Sequence, residues 1–148
     1  MKRVVFSVTA LAAAAVLPVA GAAGAQGSGT KIALRKTGLG TILVNSRGFT
    51  LYAFSRDGRN ADACVKITGC IQIWPAVTTA GKPVAGPGVK ASLLGSIPYR
   101  GSLEQVTYAG HPLYTYTGDE GPGETDYVGI SDSGGTWPAL NAAGHEVN

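Results

Sequence analysis

The chain has 148 residues, with 12 Lys and Arg against 9 Asp and Glu, and a formal net charge of +3. Two of the basic residues, Lys2 and Arg3, lie in a segment that we expect to be removed, which leaves ten basic residues against nine acidic ones, a net charge of +1. Without a cluster of Lys or Arg, the composition gives no electrostatic basis for binding nucleic acid or an anionic membrane.

Residues 1–25 have the order of a secretory signal peptide. Lys2 and Arg3 precede an apolar run over residues 4–20, and small residues continue to Ala25. We predict cleavage after Ala25, so that the mature protein is secreted or periplasmic, soluble and not inserted in the membrane. The segment that follows, residues 26–36, is predicted to be disordered.

Residues 37–148 are predicted to form one all-β domain. A mature chain of about 120 residues builds one hydrophobic core but hardly two. Short β-branched and aromatic segments alternate with Gly, Pro, Asn and Asp, and no long segment has apolar residues at helical spacing.

Cys64 and Cys70 are the two cysteines of the chain. In an oxidising compartment they are expected to form a disulfide. A thiol metal or redox site is less favoured, because the spacing is not CxxC and no histidine lies nearby in the sequence.

Two blocks of sequence occur twice, in the same order. Residues 44–57 (VNSRGFTLYAFSRD) match residues 106–119 (VTYAGHPLYTYTGD), and residues 74–84 (WPAVTTAGKPV) match residues 137–147 (WPALNAAGHEV). Matching blocks at nearly the same offset are what a tandem duplication leaves.

The duplication defines the predicted architecture. Repeat 1 covers about residues 39–84, repeat 2 covers about residues 102–147, and residues 85–101 connect them. Two copies of an incomplete unit usually pack about a pseudo-twofold axis, since each buries the apolar face that the other exposes. The expected fold is a small antiparallel sandwich or a partly closed barrel.

Each repeat is expected to contain a β-hairpin. In the returning strand Tyr52 and Phe54 lie on one face, and Tyr114 and Tyr116 lie on the equivalent face of the second copy, because side chains alternate across a strand. The predicted strands are residues 41–45, 49–55, 71–74, 103–107, 112–117 and 136–140.

Both returning strands carry the pattern Tyr-x-aromatic-x-x-Asp. Its residues are Tyr52, Phe54 and Asp57 in the first copy and Tyr114, Tyr116 and Asp119 in the second. With the cysteine pair and the Trp-Pro blocks, the pattern resembles a family of bacterial secreted repeats and predicted lipoproteins. The resemblance implies an envelope or extracellular protein with no established reaction. The chain departs from it in having no lipid-attachment cysteine.

The sequence contains no recognisable catalytic set. The two histidines, His111 and His145, lie outside any catalytic motif, and a hydrolase needs a nucleophile with a base in reach. A copper site is disfavoured because the sole methionine is Met1 and the thiols are expected to be oxidised. An enzyme is therefore the weaker class, and no cofactor is predicted.

The aromatic residues have two interpretations. Exposed together, they would form a platform for an envelope polysaccharide or protein; buried, they would fill the core of a domain this small. The rings concerned are Tyr52, Tyr108, Tyr114, Tyr116, Tyr127, Trp74 and Trp137. The candidate binding residues are Tyr52, Phe54, Asp57, Tyr114, Tyr116, Asp119, Trp74 and Trp137.

Acidic residues follow each motif in Gly-rich loops. The weak calcium candidates are Asp57, Asp62, Asp119, Glu124 and Asp126. Neither loop has the Asp-x-Asp-x-Asp-Gly spacing, so we favour a structural role in which the motif aspartates accept backbone N–H bonds.

Three functions follow from these patterns. The favoured one is a non-catalytic exported binding or interaction module of the bacterial envelope. The alternatives are a calcium-stabilised structural domain, and an envelope redox or electron-transfer component that uses the cysteine pair or a bound cofactor.

Overall fold

A computed structural model describes residues 29–148, and the predicted signal peptide lies outside this range. Strands dominate these residues, with one short α-helix, α1 (Cys70–Ile73), and two 3-10 helices, Cys64–Lys66 and Ala91–Leu93. The strands are β1 (Lys31–Thr37), β2 (Gly40–Asn45), β3 (Thr78–Thr79), β4 (Val84–Ala85), β5 (Leu94–Arg100), β6 (Leu103–Tyr108), β7 (His111–Pro112), β8 (Ser131–Asp132), β9 (Gly135–Thr136), β10 (Ala139–Leu140) and β11 (Glu146–Val147). The prediction of an all-β fold is confirmed. Within residues 29–148 no helix has the length and apolar character that a membrane crossing requires.

Each of the two largest sheets is built around the hairpin of one repeat, and β3 of repeat 1 joins the sheet of repeat 2. In the first, β1 and β2 form an antiparallel hairpin, and β4 adds to β1 in parallel. In the second, β5 and β6 form the equivalent hairpin, and β3 adds to β6. Gly40 (φ +100°) and Gly101 (φ +57°) provide the left-handed backbone that these tight turns need. Neither sheet closes on itself, and the strand orders are β2-β1-β4 and β3-β6-β5.

The first strand of each hairpin lies outside the predicted repeat boundaries. Residues 26–36 are predicted to be disordered, yet β1 runs from Lys31 and its Ile32 is fully buried in the core. Residues 85–101 are predicted to be a connector, yet β5 pairs with β6 along most of its length. Strand pairing orders residues 31–36 and 94–100, so the prediction of disorder is wrong for the former and the prediction of a plain connector is wrong for the latter. Residues 26–28 lie outside the described range.

The returning strands differ from the predicted hairpins. In repeat 1 the return makes only the bridge between Val44 and Thr50, and in repeat 2 only β7 pairs with β6. The chain then crosses to the other repeat, where Tyr52 bridges to Tyr114. The cause is the aromatic face of each returning strand, which is buried against the opposite repeat.

The Trp-containing segments are less regular than predicted. Residues 71–74 are predicted to be a strand but lie mainly in α1, because the disulfide between Cys64 and Cys70 closes the chain into short turns. The disulfide itself is confirmed, with a Cα–Cα distance of 5.4 Å. The predicted strand at residues 136–140 is divided between β9 and β10.

The core has an aliphatic part, an aromatic part and a small third cluster of Ile42, Val44 and Ala139. The aliphatic part lies between the hairpins and contains Ile32, Leu43, Leu51, Ala53, Val77, Val89, Val106, Tyr108, Leu113 and Leu140. The aromatic part lies where the repeats meet and contains Tyr52, Phe54, Cys64, Cys70, Trp74, Tyr114 and Trp137. The largest rings of the protein therefore hold the two repeats together.

The substitution Trp137→Ala tests the importance of the aromatic part. Trp137 is fully buried and stacks on Trp74 and Phe54, so its loss should lower the free energy of unfolding by about 3–5 kcal/mol. Urea denaturation measures this change. Leu103→Ala is the control, because Leu103 is 40% exposed and should change stability by no more than about 0.5 kcal/mol. Equal effects of the two substitutions would contradict this description of the core.

Candidate functional site

Tyr52 and Tyr114 face each other across the contact between the repeats. The N–H of each donates to the C=O of the other, both at 2.9 Å. The exchange continues one residue further on each strand, where Ala53 N–H donates to Pro138 C=O and Thr115 N–H donates to Pro75 C=O, both at 2.9 Å. Contacts in which residue i of one copy binds residue j of the other, and the reverse, are those of a twofold arrangement.

Each motif tyrosine donates its hydroxyl to the motif aspartate of the other copy. Tyr52 Oη lies 3.1 Å from both carboxylate oxygens of Asp119, and Tyr114 Oη lies 2.9 Å from Asp57 Oδ2. Both tyrosines are 0% exposed, and a buried hydroxyl is costly unless it is hydrogen-bonded. The motif is therefore not a local site, since its two ends bind the opposite repeat.

The two tryptophans lie between these tyrosines. Trp74 and Trp137 stack with ring centroids 3.9 Å apart and an interplanar angle of 3°. Tyr52 packs its edge against Trp74 at 5.2 Å, and Tyr114 packs its edge against Trp137 at 5.1 Å. Stacked and edge-on pairs are the favoured geometries of aromatic rings, so the four rings form a nearly symmetric cluster.

Phe54 and Tyr116 extend the stack on its two sides. Phe54 lies 4.1 Å from Trp137, and Tyr116 lies 4.4 Å from Trp74. Tyr127 lies 4.4 Å from Tyr116 and is partly exposed. We call Tyr52, Phe54, Trp74, Tyr114, Tyr116, Tyr127 and Trp137 the aromatic cluster.

The burial of these rings decides between the two interpretations of the aromatic residues. Tyr52, Tyr114 and both tryptophans are 0% exposed, so their faces are not accessible to a polysaccharide. Tyr108 is also buried, in the aliphatic part of the core, and its hydroxyl donates to the C=O of Ala142 at 2.8 Å. These five rings fill the core, whereas Tyr116 and Tyr127 are partly exposed.

The carboxyl group of Asp57 lies in a partly buried position beside Tyr114. The pKa of Asp57 is raised from 3.8 to about 7, mainly by desolvation on burial and in smaller part by the nearby charge of Asp62. Hydrogen bonds from the Ala63 N–H and the Tyr114 hydroxyl oppose this shift. Burial also raises the pKa of Tyr114, so its hydroxyl remains a donor at every physiological pH.

Asp119 occupies the equivalent position in the second copy. Desolvation raises the pKa of Asp119 from 3.8 to about 6, with the charges of Glu124 and Asp126 adding to the effect and the hydrogen bond from Tyr52 opposing it. Burial likewise raises the pKa of Tyr52. Both inter-repeat bonds therefore join a protonated phenol to a carboxyl group that titrates near neutral pH.

The acidic loops are bound by backbone N–H groups. Asp57 Oδ1 accepts from Ala63 N–H at 2.8 Å, and Asp62 Oδ1 accepts from Val65 N–H at 3.0 Å. Glu124 accepts from two N–H groups of its own loop. Among residues 29–148 no three Asp, Glu, His or Cys side chains come together as a metal ion would require.

His111 and Asp57 share a small cavity, which sequence analysis did not anticipate. It has a volume of about 170 Å³ and is also lined by Arg59. His145 is exposed in the turn before β11. Asp57 and His111 lie in different repeats, and no short-range motif could have joined them.

Asp132 is a further residue that sequence analysis missed. Its carboxylate accepts from Trp74 Nε1 at 2.6 Å, and its C=O accepts from Trp137 Nε1 at 3.2 Å. A buried indole N–H needs an acceptor, so two buried tryptophans were a signal that such a residue exists. Its position could not be read from the duplication, because one residue serves both rings.

The family described as a secreted repeat of unknown function matches residues 33–78 and 103–141, more than half of the chain. Each matched segment contains one copy of the motif, so the resemblance identified from the motif is confirmed. No curated protein and no solved structure matches the chain.

A double-mutant cycle tests the exchange between the repeats. Tyr52→Phe and Asp119→Asn should show a coupling free energy of about 1 kcal/mol, because they remove the two ends of one buried hydrogen bond. Tyr52→Phe and Asp57→Asn, which pair the same residue types within one repeat, should show a coupling near zero. Urea denaturation of the single and double variants gives both values. Coupling within the repeat and none across it would refute the exchange.

The two raised carboxyl pKa values predict a pH dependence of stability. Because the folded state binds protons more tightly than the unfolded chain, the free energy of unfolding should fall as pH rises from 3.8 through about 7. Asp57→Asn should flatten this slope, whereas Glu146→Gln, at an exposed position, should not. Urea denaturation across this pH range measures the slope, and an unchanged slope in Asp57→Asn would contradict the prediction.

Proposed function

We propose that this chain, which belongs to the family of secreted repeats of unknown function, is a non-catalytic interaction module that binds an extended peptide segment of an envelope or extracellular protein. The peptide would lie along the edge of β5. The observation that carries the proposal is an open strand edge that borders a wide groove.

The two repeats differ at their outer strands. In repeat 1, β1 lies between β2 and β4, so both of its edges are partnered. In repeat 2, β5 pairs with β6 on one side, and none of the strands described above pairs with its other side. An edge strand presents N–H and C=O groups that an extended peptide can bind by strand addition.

The backbone of β5 offers the open edge a complete N–H and C=O pair at Ser96, whereas Pro98, two residues later on the same edge, offers only its C=O and limits the pairing there. Residues of an antiparallel ladder alternate between hydrogen-bonded and non-hydrogen-bonded pairs. Pro98 pairs with Glu104 but has no N–H, so its pair is of the non-hydrogen-bonded kind. Ser96, two residues earlier, then directs its N–H and C=O away from β6, toward the open edge.

The groove beside β5 has a volume of about 560 Å³. One wall is formed by residues 97–100, and the other by residues 60–62 with Val65 and Lys66. Successive side chains of a strand point to opposite faces, so four consecutive residues can line one groove only where it runs along the strand edge. The pairing of β5 is also irregular between Pro98 and Arg100.

The lining selects the kind of peptide. Val65 is 42% exposed and Ile97 is partly exposed, which favours apolar side chains in the peptide. Lys66 and Arg100 are exposed cations at the same groove, and the one acidic residue of its lining, Asp62, accepts from the Val65 N–H, so the excess of positive charge favours acidic side chains. An extended segment that alternates apolar and acidic residues fits both features.

The state of the motif residues supports a non-catalytic role. Catalysis by the motif would need a carboxylate or hydroxyl that is free to act on a substrate. The hydroxyls of Tyr52 and Tyr114 are bound to Asp119 and Asp57, and both oxygens of Asp57, which lines the small cavity with His111, accept hydrogen bonds from Ala63 and Tyr114. The motif residues stabilise the fold, and the groove beside β5 is the surface that we propose binds a partner.

Binding can be tested with a capped peptide of alternating valine and glutamate, titrated into ¹⁵N-labelled protein. Amide shifts should concentrate in β5 and residues 60–66, and Arg100→Glu should weaken binding by about tenfold or more, equal to about 1.4 kcal/mol. Arg47→Glu is the matched control, because Arg47 is exposed outside the groove. Shifts elsewhere, or none at millimolar peptide, would overturn the proposal.

A further inference from the structure

We infer that the aromatic cluster carries an electron hole from the surface at Tyr127 to the buried pairs Tyr52–Asp119 and Tyr114–Asp57, so that the protein can give up an electron to a one-electron oxidant. This activity needs no bound cofactor. It is independent of the peptide groove, which lies on other residues.

The rings form an unbroken path from the surface to the interior. The centroid distance is 4.4 Å from Tyr127 to Tyr116, 4.4 Å from Tyr116 to Trp74, and 3.9 Å from Trp74 to Trp137. Tyr127 and Tyr116 are partly exposed, whereas both tryptophans are fully buried. Rings in van der Waals contact exchange an electron readily, so each step of the path is short.

The path ends at phenols that have a base in place. Tyr52 contacts Trp74 and Tyr114 contacts Trp137. A phenol that loses an electron becomes strongly acidic and must release its proton. The carboxylates of Asp119 and Asp57 lie 3.1 and 2.9 Å from the two hydroxyl oxygens, within the reach that direct proton transfer requires.

The step is balanced at these atoms. The oxidant takes one electron from the ring at the surface, and the hole moves through the tryptophans to one phenol. That phenol fills the hole with its own electron and passes its hydroxyl proton to the carboxylate. The products are a neutral tyrosyl radical, a neutral carboxylic acid, intact tryptophans and an oxidant that has gained one electron.

Tyr108 shows which features are specific to the two pairs. It is as deeply buried as Tyr52, but its hydroxyl donates to the Ala142 C=O at 2.8 Å and accepts from Lys90 N–H at 3.0 Å. A peptide carbonyl cannot take up the proton as a carboxylate does. Tyr108 also lies outside the aromatic cluster, so it serves as an internal control.

The experiment oxidises the protein with a photogenerated ruthenium(III) polypyridyl complex and follows tyrosyl radicals by electron paramagnetic resonance. Radicals at exposed tyrosines decay by coupling between molecules, so the buried pairs should give the long-lived component. In Asp57→Asn/Asp119→Asn this component should fall by about 100-fold, because asparagine accepts the hydrogen bond but not the proton. Tyr108→Phe should leave it unchanged.

A surface variant keeps the test decisive if the double variant fails to fold. Tyr116→Phe/Tyr127→Phe removes both partly exposed oxidisable rings of the path and keeps their phenyl groups in place. It should cause a loss of most of the long-lived signal, with Tyr99→Phe as the surface control. Near-ultraviolet circular dichroism checks folding of every variant. A wild-type protein without the long-lived component, or equal signals from Tyr116→Phe/Tyr127→Phe and Tyr99→Phe, would overturn the inference.

Discussion

A buried tyrosine hydroxyl must have a hydrogen-bond acceptor, and each motif tyrosine of this protein has its acceptor in the opposite repeat. Neither repeat can satisfy its own motif. The same exchange is made by the backbone of Tyr52 and Tyr114, and the stacked pair Trp74 and Trp137 fills the space between them. The duplicated sequence therefore folds as one domain with a shared interior, and the hydrogen bonds of the secreted-repeat motif join its two halves.

Outside the shared interior the two repeats differ, and these differences create the surfaces to which the two proposals refer. Repeat 1 contains the disulfide, and its outer strand β1 is covered by β4. Repeat 2 has an open edge at β5, where the proposed peptide would bind. On the opposite side of Trp74 from its partner indole, Tyr116 and Tyr127 connect the stack to the surface. A symmetric core thus supports two different surfaces.

The sequence predicted the duplication, the all-β class, the disulfide and the shared strand face of the two motif rings in each copy. These features follow from the matching of the two blocks, from composition and from strand periodicity. It could not predict β1 and β5, whose sequences KIALRKT and LGSIPYR have diverged. Strand periodicity also predicts the face of the strand on which an aromatic side chain lies, but it does not predict the repeat against which that side chain packs. The two hairpin turns also differ in length by one residue. Leu51 N–H donates to the C=O of Leu43, and the equivalent Leu113 N–H donates to the C=O of Val106. The hydrogen bonds therefore make Leu43 the counterpart of Val106, whereas the sequence alignment pairs Val44 with Val106.

Native-state hydrogen exchange tests the shared interior most directly, because it reports the free energy of opening at each amide of the intact protein. If the repeats can open only together, the amides of Tyr52 and Tyr114 will exchange with the same free energy, equal to that of global unfolding. The contradicting result is a lower free energy of opening for the amides of one repeat while those of the other stay protected. It would show that one half can unfold alone and that the hydrogen bonds between the motifs do not hold the domain together.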